Sequence, residues 1–125
     1  MAIVFSNKWK SSTKPEKQRK YANNAPLHIK GKLLHSHLSK DIHKKYNIRS
    51  LRVKAGDAVK ILRGQFKGKT AKVERVSLKD TKVYLDKLEV VKQDGSKTKY
   101  PIHPSNLLIT DLNLNDKRRL KRIAK

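Results

Sequence analysis

Thirty-two lysines and arginines against ten aspartates and glutamates give this chain a formal net charge of +22 at pH 7, and that imbalance limits what it can fold into more than any other feature. Like charges on this scale repel one another across a compact domain unless a polyanion supplies the counter-charge. DNA and RNA backbones do so, and release of their condensed counterions drives the binding. An anionic membrane is the other candidate surface. The sequence holds no long apolar stretch and no amphipathic lipid anchor, so membrane insertion is not expected. Within 125 residues there is room for one small domain plus extensions. Hydrophobic residues make up 36% of the chain, below the usual share of a compact domain, so part of it should bury no core of its own.

The charge is unevenly placed. Residues 1–50 carry 12 basic and 2 acidic side chains, residues 51–112 carry 14 and 7, and residues 113–125 carry 6 and 1. The middle is nearest to balance and holds most of the β-branched residues. Three parts follow: a basic N-terminal extension with short helices (1–48), a small, mostly β barrel (49–112) and a basic C-terminal helix (113–125). The first dozen residues show no periodicity and are expected to be disordered alone. The opening MAIVFSNKWK has four apolar residues after Met1, too few for a signal-peptide core. Thr13 and Glu16 have capping-box spacing around Pro15, predicting a helix over about residues 14–22 that Asn23-Asn24-Ala25-Pro26 breaks. Pro26 suits the first turn of a second helix reaching about Leu34. Ser39 reads as the N-cap of a third, with Asp41 near its positive end and Asn47 as a left-handed terminator after Tyr46.

From Arg49 the period changes to two. Leu51 and Val53, Val59 and Ile61, Ala71, Val73 and Val76, then Val83 and Leu85 alternate with polar residues as half-buried strands require. With Tyr46 and Ile48, these residues from Leu51 to Leu85, Ala71 apart, are the expected core. Ala55-Gly56-Asp57 and Gly64 to Gly68 read as turns, and Glu89 to Tyr100 as a hairpin around Asp94-Gly95. Leu107 to Ile109 make a last strand, and Asn115 or Asp116 caps the C-terminal helix. Five or so short strands at this spacing suggest a barrel, which removes most exposed edges.

The most informative stretch is KAGDAVKILRGQFKGKTAKVERVSLKD, residues 54–80. Its Gly56-Asp57, alternating Val59 and Ile61, then Gly64, Phe66, Lys67, Gly68, Lys69 and Val73 resemble the KOW motif, a strand–loop–strand unit of ribosomal proteins and transcription elongation factors. The hallmark glycine falls on Gly64. Ala71 departs from the pattern, where family members often have another glycine. The loop suits RNA contact apart from any resemblance. Glycine lets backbone N–H groups approach a phosphate, because no Cβ intervenes. Arg63, Lys67 and Lys69 are placed to neutralise backbone charge, with Gln65 between them. Phe66 either stacks on an unpaired base or plugs the barrel end.

The likeness extends beyond the motif. NAPLHIKGKLL (23–34), LSKDIHKKYNIRSLRVKAGD (38–57) and IHPSNLLITDLNLNDKRRLKRI (102–123) resemble the archaeal and eukaryotic form of one family of large-subunit ribosomal proteins, L-twenty-four, called L-twenty-six in eukaryotes. The N-terminal helices point away from the bacterial form, and the short C-terminus leans archaeal. The resemblance implies an SH3-like barrel and a structural role in the large ribosomal subunit. It implies binding to the first domain of large-subunit rRNA, action early in subunit assembly and a place near the polypeptide exit tunnel. Partners would be large-subunit rRNA, neighbouring large-subunit proteins and nascent-chain factors at the tunnel exit. The location would be cytoplasmic, in the ribosome.

Candidate rRNA-binding residues follow. In the N-terminal extension, Trp9 with Phe5 and Tyr21 interleaves aromatics among Lys8, Lys10, Arg19 and Lys20, a pattern that supports stacking plus phosphate contact; Lys14 and Lys17 join it. The alternative is that Trp9 anchors the arm onto the barrel. His28 and His103 read equally as packing residues or RNA contacts. Arg49, Arg52, Lys99, Arg118 and Arg119 add cations on the barrel and C-terminal helix. No cysteine is present, which excludes disulfides and thiolate metal sites. Five histidines among scattered carboxylates do not make a metal site, so no metal or cofactor is expected. Ser36, His37 and Asp41 sit close in sequence, but no nucleophile elbow or oxyanion loop surrounds them, and no enzymatic activity is expected. Two other functions compete with the rRNA reading. One is a KOW transcription factor whose barrel contacts RNA polymerase; the other is an archaeal chromatin protein on duplex DNA. The first needs neither +22 nor basic extensions at both ends.

Overall fold

A computed structural model of the chain describes residues 5–124. Residues 1–4, part of the apolar run read above, lie outside the described residues, as does residue 125. Four helices, α1 (Pro15–Asn24), α2 (Leu27–Leu33), α3 (Lys40–Tyr46) and α4 (Lys117–Ile123), surround seven strands. The strands are β1 (His35–Leu38), β2 (Ser50–Arg52), β3 (Ala58–Ile61), β4 (Thr70–Ser77), β5 (Lys82–Val91), β6 (Lys97–Ile102) and β7 (Leu107–Asp111). Single 3-10 turns occupy Asn7–Ser11 and Pro104–Asn106.

The strand order is β2-β1-β7-β3-β4-β5-β6, antiparallel except for the β1–β7 pair. Strand β4 makes the corner. Residues 70–72 pair with β3 and residues 73–77 with β5, the register slipping between Val73 and Arg75. A second irregularity lies in β5, where Lys87 takes a positive φ of 60° and the pairing with β6 shifts between Tyr84 and Glu89. Such bulges bend a strand and re-aim its side chains. Leu88 thereby joins Val83 and Leu85 on the inner face, out of strict alternation. The sheet wraps into the small SH3-like barrel expected from the sequence. All ten of the expected core residues lie in the core or against it, with Tyr46, Ile48 and Val76 only half-buried. Ala71, where a glycine is common in the family, simply pairs with Val59.

The hairpin turn falls around Asp94-Gly95 as read, with Gly95 at φ 86° and Lys92 N–H donating to the Ser96 carbonyl at 2.8 Å. Asn47 ends α3 in the left-handed conformation (φ 53°), its N–H donating to the His43 carbonyl at 2.8 Å. Asp116 caps α4 by accepting from Arg118 N–H at 2.9 Å.

Three local expectations need correction. Thr13 and Glu16 form no capping box; α1 begins at Pro15 after an uncapped Lys14 and runs through Asn24, stopping where Ala25 must be extended ahead of Pro26. Pro26 is the N-cap of α2 rather than its first residue. The third correction is a strand the sequence did not reveal. Residues 35–38, read as a link between helices, form β1, antiparallel to β2 and parallel to β7. Its inward positions are Ser36 and Leu38, following the buried Leu34. A serine in that series hides the apolar alternation. Ser36 is tolerated inside because its Oγ donates to the Pro104 carbonyl at 2.6 Å. Leu34 and Leu38 thus tie the N-terminal segment into the barrel core, each worth about 1.5–3 kcal/mol of burial.

Candidate nucleic-acid interface

Residues 62–69 join β3 to β4, and the backbone closes the loop on itself. Gly68 N–H donates to the Ile61 carbonyl at 2.8 Å, and Ile61 N–H to the Lys69 carbonyl at 2.9 Å. Gly64 and Gly68 adopt φ of 94° and 85°, conformations that side-chain-bearing residues resist. A Cβ at either would meet no atom within 4 Å, so glycine is required by the backbone and not by crowding. Arg63, Gln65, Lys67 and Lys69 are exposed around this rigid turn. Phe66 is half-buried against the core, edge-on to Tyr100 at 5.2 Å, with the Lys69 ammonium 5.1 Å from its ring centre. Of the two roles open to Phe66, the geometry supports the plug. A cleft of about 170 Å³ runs from this loop to β6 and the second 3-10 turn, lined in part by Arg63, Gln65, Lys82 and His103. His103 caps that turn, its Nδ1 accepting from Ser105 N–H at 3.2 Å.

The N-terminal cations form a second group. Lys8, Trp9 and Lys10 lie on the 3-10 turn Asn7–Ser11, a regular element where the sequence showed none, and Lys14, Lys17, Arg19 and Lys20 on and beside α1. Trp9 does not anchor the arm to the barrel. It folds back on α1, 53% exposed, with the Lys17 ammonium 4.9 Å from its ring centre. Phe5 and Tyr21 meet at 5.0 Å beside it, and the three aromatics border a cavity of about 210 Å³ with Lys17 and Lys20. Trp9 is thus exposed, and Phe5 and Tyr21 half-buried, among these cations. His28 is exposed on α2, and Arg49 is exposed just before β2.

The C-terminal part differs most from expectation. Arg119, grouped with the RNA-facing cations on sequence, is 5% exposed and turned inward onto the fully buried Asp57. Its Nη1 and Nη2 donate to the two carboxylate oxygens at 2.6 and 2.7 Å, and to the carbonyls of Asn113 and Arg52 at 2.9 and 3.1 Å. Asp57 also accepts from the N–H groups of Lys54 and Asn113, both at 2.9 Å. The Gly56-Asp57 pair of the motif therefore serves as the socket of the C-terminal segment. A Cβ on Gly56 (φ 91°) would stand 2.5 Å from Asn113 Nδ2. Lys54 pairs with Asp116, whose carboxyl is held below the usual carboxylate range first by that contact and then by the Arg118 N–H. Lys99 pairs with Glu74 across the strands. Arg52 and Arg118, by contrast, have no carboxylate partner among the described residues. Sequence reasoning missed Lys54 and Arg122, which line one cleft with them. The i, i+4 spacing of Arg118 and Arg122 was the available signal.

Residues 12–125 match the family of ribosomal proteins that comprises eukaryotic L26 and its archaeal L24 counterpart. The large ribosomal subunit protein uL24 of Methanospirillum hungatei is 47% identical over 113 residues, covering 90% of this chain and 94% of that protein. The uL24 of Methanocorpusculum labreanum is likewise 47% identical over 113 residues, covering 90% and 93%.

Proposed function

The chain belongs to the family of eukaryotic L26 and archaeal L24 ribosomal proteins, and from that membership we propose that it binds the first domain of large-subunit rRNA, acts early in subunit assembly and sits near the polypeptide exit tunnel. As a family member of the archaeal type it is a structural constituent of the large ribosomal subunit, cytoplasmic within the ribosome, and not an enzyme. The transcription-factor and chromatin readings fall with that membership.

One observation carries the RNA-binding reading furthest. The β3–β4 loop presents Arg63, Lys67 and Lys69 in the open, on a turn fixed by two positive-φ glycines and backed by a half-buried Phe66. Preset cations meet phosphates without first ordering the loop, and they fix register rather than sequence. The N-terminal aromatic cluster and α4 carry further cations. Neighbouring large-subunit proteins and nascent-chain factors at the tunnel exit are the further partners we propose.

Binding to a fragment carrying the first domain of large-subunit rRNA, followed across a salt series, tests this. Should 6–10 phosphates be neutralised, affinity falls about 10³–10⁵-fold between 50 and 200 mM salt. A flat log–log plot removes the electrostatic account. Crosslink mapping on assembled subunits decides the position: contacts confined to other rRNA domains refute it.

A further inference from the structure

Between β2 and α4 lies a cleft of about 170 Å³ lined by Leu51, Arg52, Lys54, Arg118, Arg119 and Arg122. Five of these six side chains are cationic. Two are already engaged, Lys54 by Asp116 and Arg119 by Asp57. Arg52, Arg118 and Arg122 have no carboxylate partner among the described residues, so three of the arginines that line the cleft are uncompensated. Arg119 contributes one thing more: its Nε is buried and has no hydrogen-bond partner, a rarity for a polar atom inside a folded protein.

The groups are also held in place. Arg118 and Arg122 are one helical turn apart on α4, and Arg119 fastens that helix to the barrel through its two bonds to Asp57. Arg52 belongs to β2, and its guanidinium rests against α2 at Gly31, where a Cβ would stand 2.9 Å from Nη1. Across the strand pair, His35 is the register partner of Arg52. Its pKa is lowered first by burial and then by Arg122 and Arg52, so the positive field of the cleft reaches its neighbour. Guanidinium forks match the oxygen geometry of phosphate and bind it bidentately, which a scattered lysine surface does not do. The volume suits one phosphate group with a few waters, a water's share being ~30 Å³.

We propose that the cleft between β2 and α4 is an oxyanion site that seats one phosphate group of the rRNA backbone, held by Arg52, Arg118 and Arg122. It rests on the rRNA-binding reading and adds to it a specific docking point away from the β3–β4 loop. The Gly56-Asp57 pair then acts on RNA indirectly: by holding Arg119 it sets the position of α4 and of the two arginines beside it.

Two readouts on the full chain test the site. Arg118→Gln with Arg122→Gln removes two exposed arginines while leaving Arg119 and the Asp116 cap in place; Arg52→Gln is the second variant. Filter binding to the rRNA fragment across a salt series should show a log–log slope shallower by about 0.7–0.9, the loss of one neutralised phosphate. Nuclear magnetic resonance titration of His35, in sulfate and in chloride at matched ionic strength, is the local readout. Sulfate in the cleft offsets Arg52 and Arg122, so the His35 midpoint should rise in wild type and stay put in the double variant. His103, lowered by burial and by Lys82 in the separate cleft beside the β3–β4 loop, reports sulfate bound there instead. Both results are required. An unchanged slope, or a His35 midpoint that ignores sulfate, overturns the site and leaves the rRNA reading standing so long as wild type binds the fragment. Wild type failing to bind overturns that reading instead.

Discussion

Arg119→Met separates what the buried ion pair does from what the basic surface does. In the native chain Asp57 is fully buried and accepts four hydrogen bonds, two from Arg119 and two from the backbone of Lys54 and Asn113. Methionine fills much of the arginine's volume but strands the carboxylate with two neutral donors. Removing one partner of a buried pair typically costs 3–5 kcal/mol, because the remaining charge stays desolvated. The two surviving N–H donors place this case near the low end, at about 3 kcal/mol. For a domain of this size that lowers the melting temperature by roughly 10–15 °C. Circular-dichroism melts measure it. The double variant Asp57→Asn, Arg119→Met removes the stranded charge and keeps an acceptor for one of the two backbone donors, which bond different carboxylate oxygens, so it should recover part of the loss. A single variant melting within about 2 °C of wild type would refute the idea that this pair anchors the C-terminal segment. A double variant no better than the single one places the cost in packing and the unpaired backbone donor rather than in the buried charge.

Three other outcomes follow from particular residues. Changing Arg63, Lys67 and Lys69 together to Glu should cripple rRNA-fragment binding yet leave the melt nearly unchanged, since exposed charges contribute little to stability; Gly64→Val, at φ 94°, should instead lose about 1–2 kcal/mol of stability through backbone strain, and wild-type melting in that variant refutes the strain. His35 and His103 both have lowered pKa values in the folded state, chiefly through burial, so the unfolded chain binds more protons and stability falls with pH from about 6.5 downward. His35→Gln with His103→Gln should flatten melting temperature against pH between about 7 and 5, and an unaltered slope there counts against the assignment. Limited trypsin digestion without RNA should cut within residues 1–25 before the barrel, because that segment has only Ala25 buried among its described residues; equal protection of both parts contradicts it.

The barrel was legible because its strands obey the period-two rule and its turns carry glycine where φ is positive, as at Gly64, Gly68 and Gly95. Strand β1 was not, because a buried serine satisfied by a distant carbonyl looks like a loop residue in one dimension. The continuity of β5 was hidden by Lys87, whose positive φ brings Leu88 inward where alternation alone would turn it out. At the candidate interface the exposed loop cations were readable, since Gly64 and Gly68 mark a turn and several cations crowded into one turn favour solvent. The fate of Arg119 was not. KRRLKRI is nearly uniform in charge along the chain, and only a tertiary partner 62 residues away distinguishes Arg119 from Arg118. The sequence did contain that partner, but Asp57 read as a turn residue, and nothing local marks a turn carboxylate as buried.

The ten acidic residues explain how a chain of +22 folds and why it still requires a polyanion. Asp57 fixes the C-terminal segment, and Asp116 caps α4 while pairing with Lys54. Asp80 and Asp94 bond Ser77 and Ser96 within turns, Asp111 accepts from Leu112 N–H, and Glu16 and Asp41 stand in first helical turns. Glu74 and Glu89 tie neighbouring strands through Lys99 and Lys97. Nine of the ten thus hold positions within the fold, Asp57 in a buried pair and the others in turns, helix starts or exposed pairs, which contribute at most ~1 kcal/mol each. The acids help set where the chain turns and where helices begin, and leave the loop cations and Arg118 and Arg122 of α4 without a carboxylate partner among the described residues. A partner with a dense array of negative charge would complete the electrostatics of this fold, and the loop, the aromatic arm and the arginine-lined cleft are the three points of contact we propose for it.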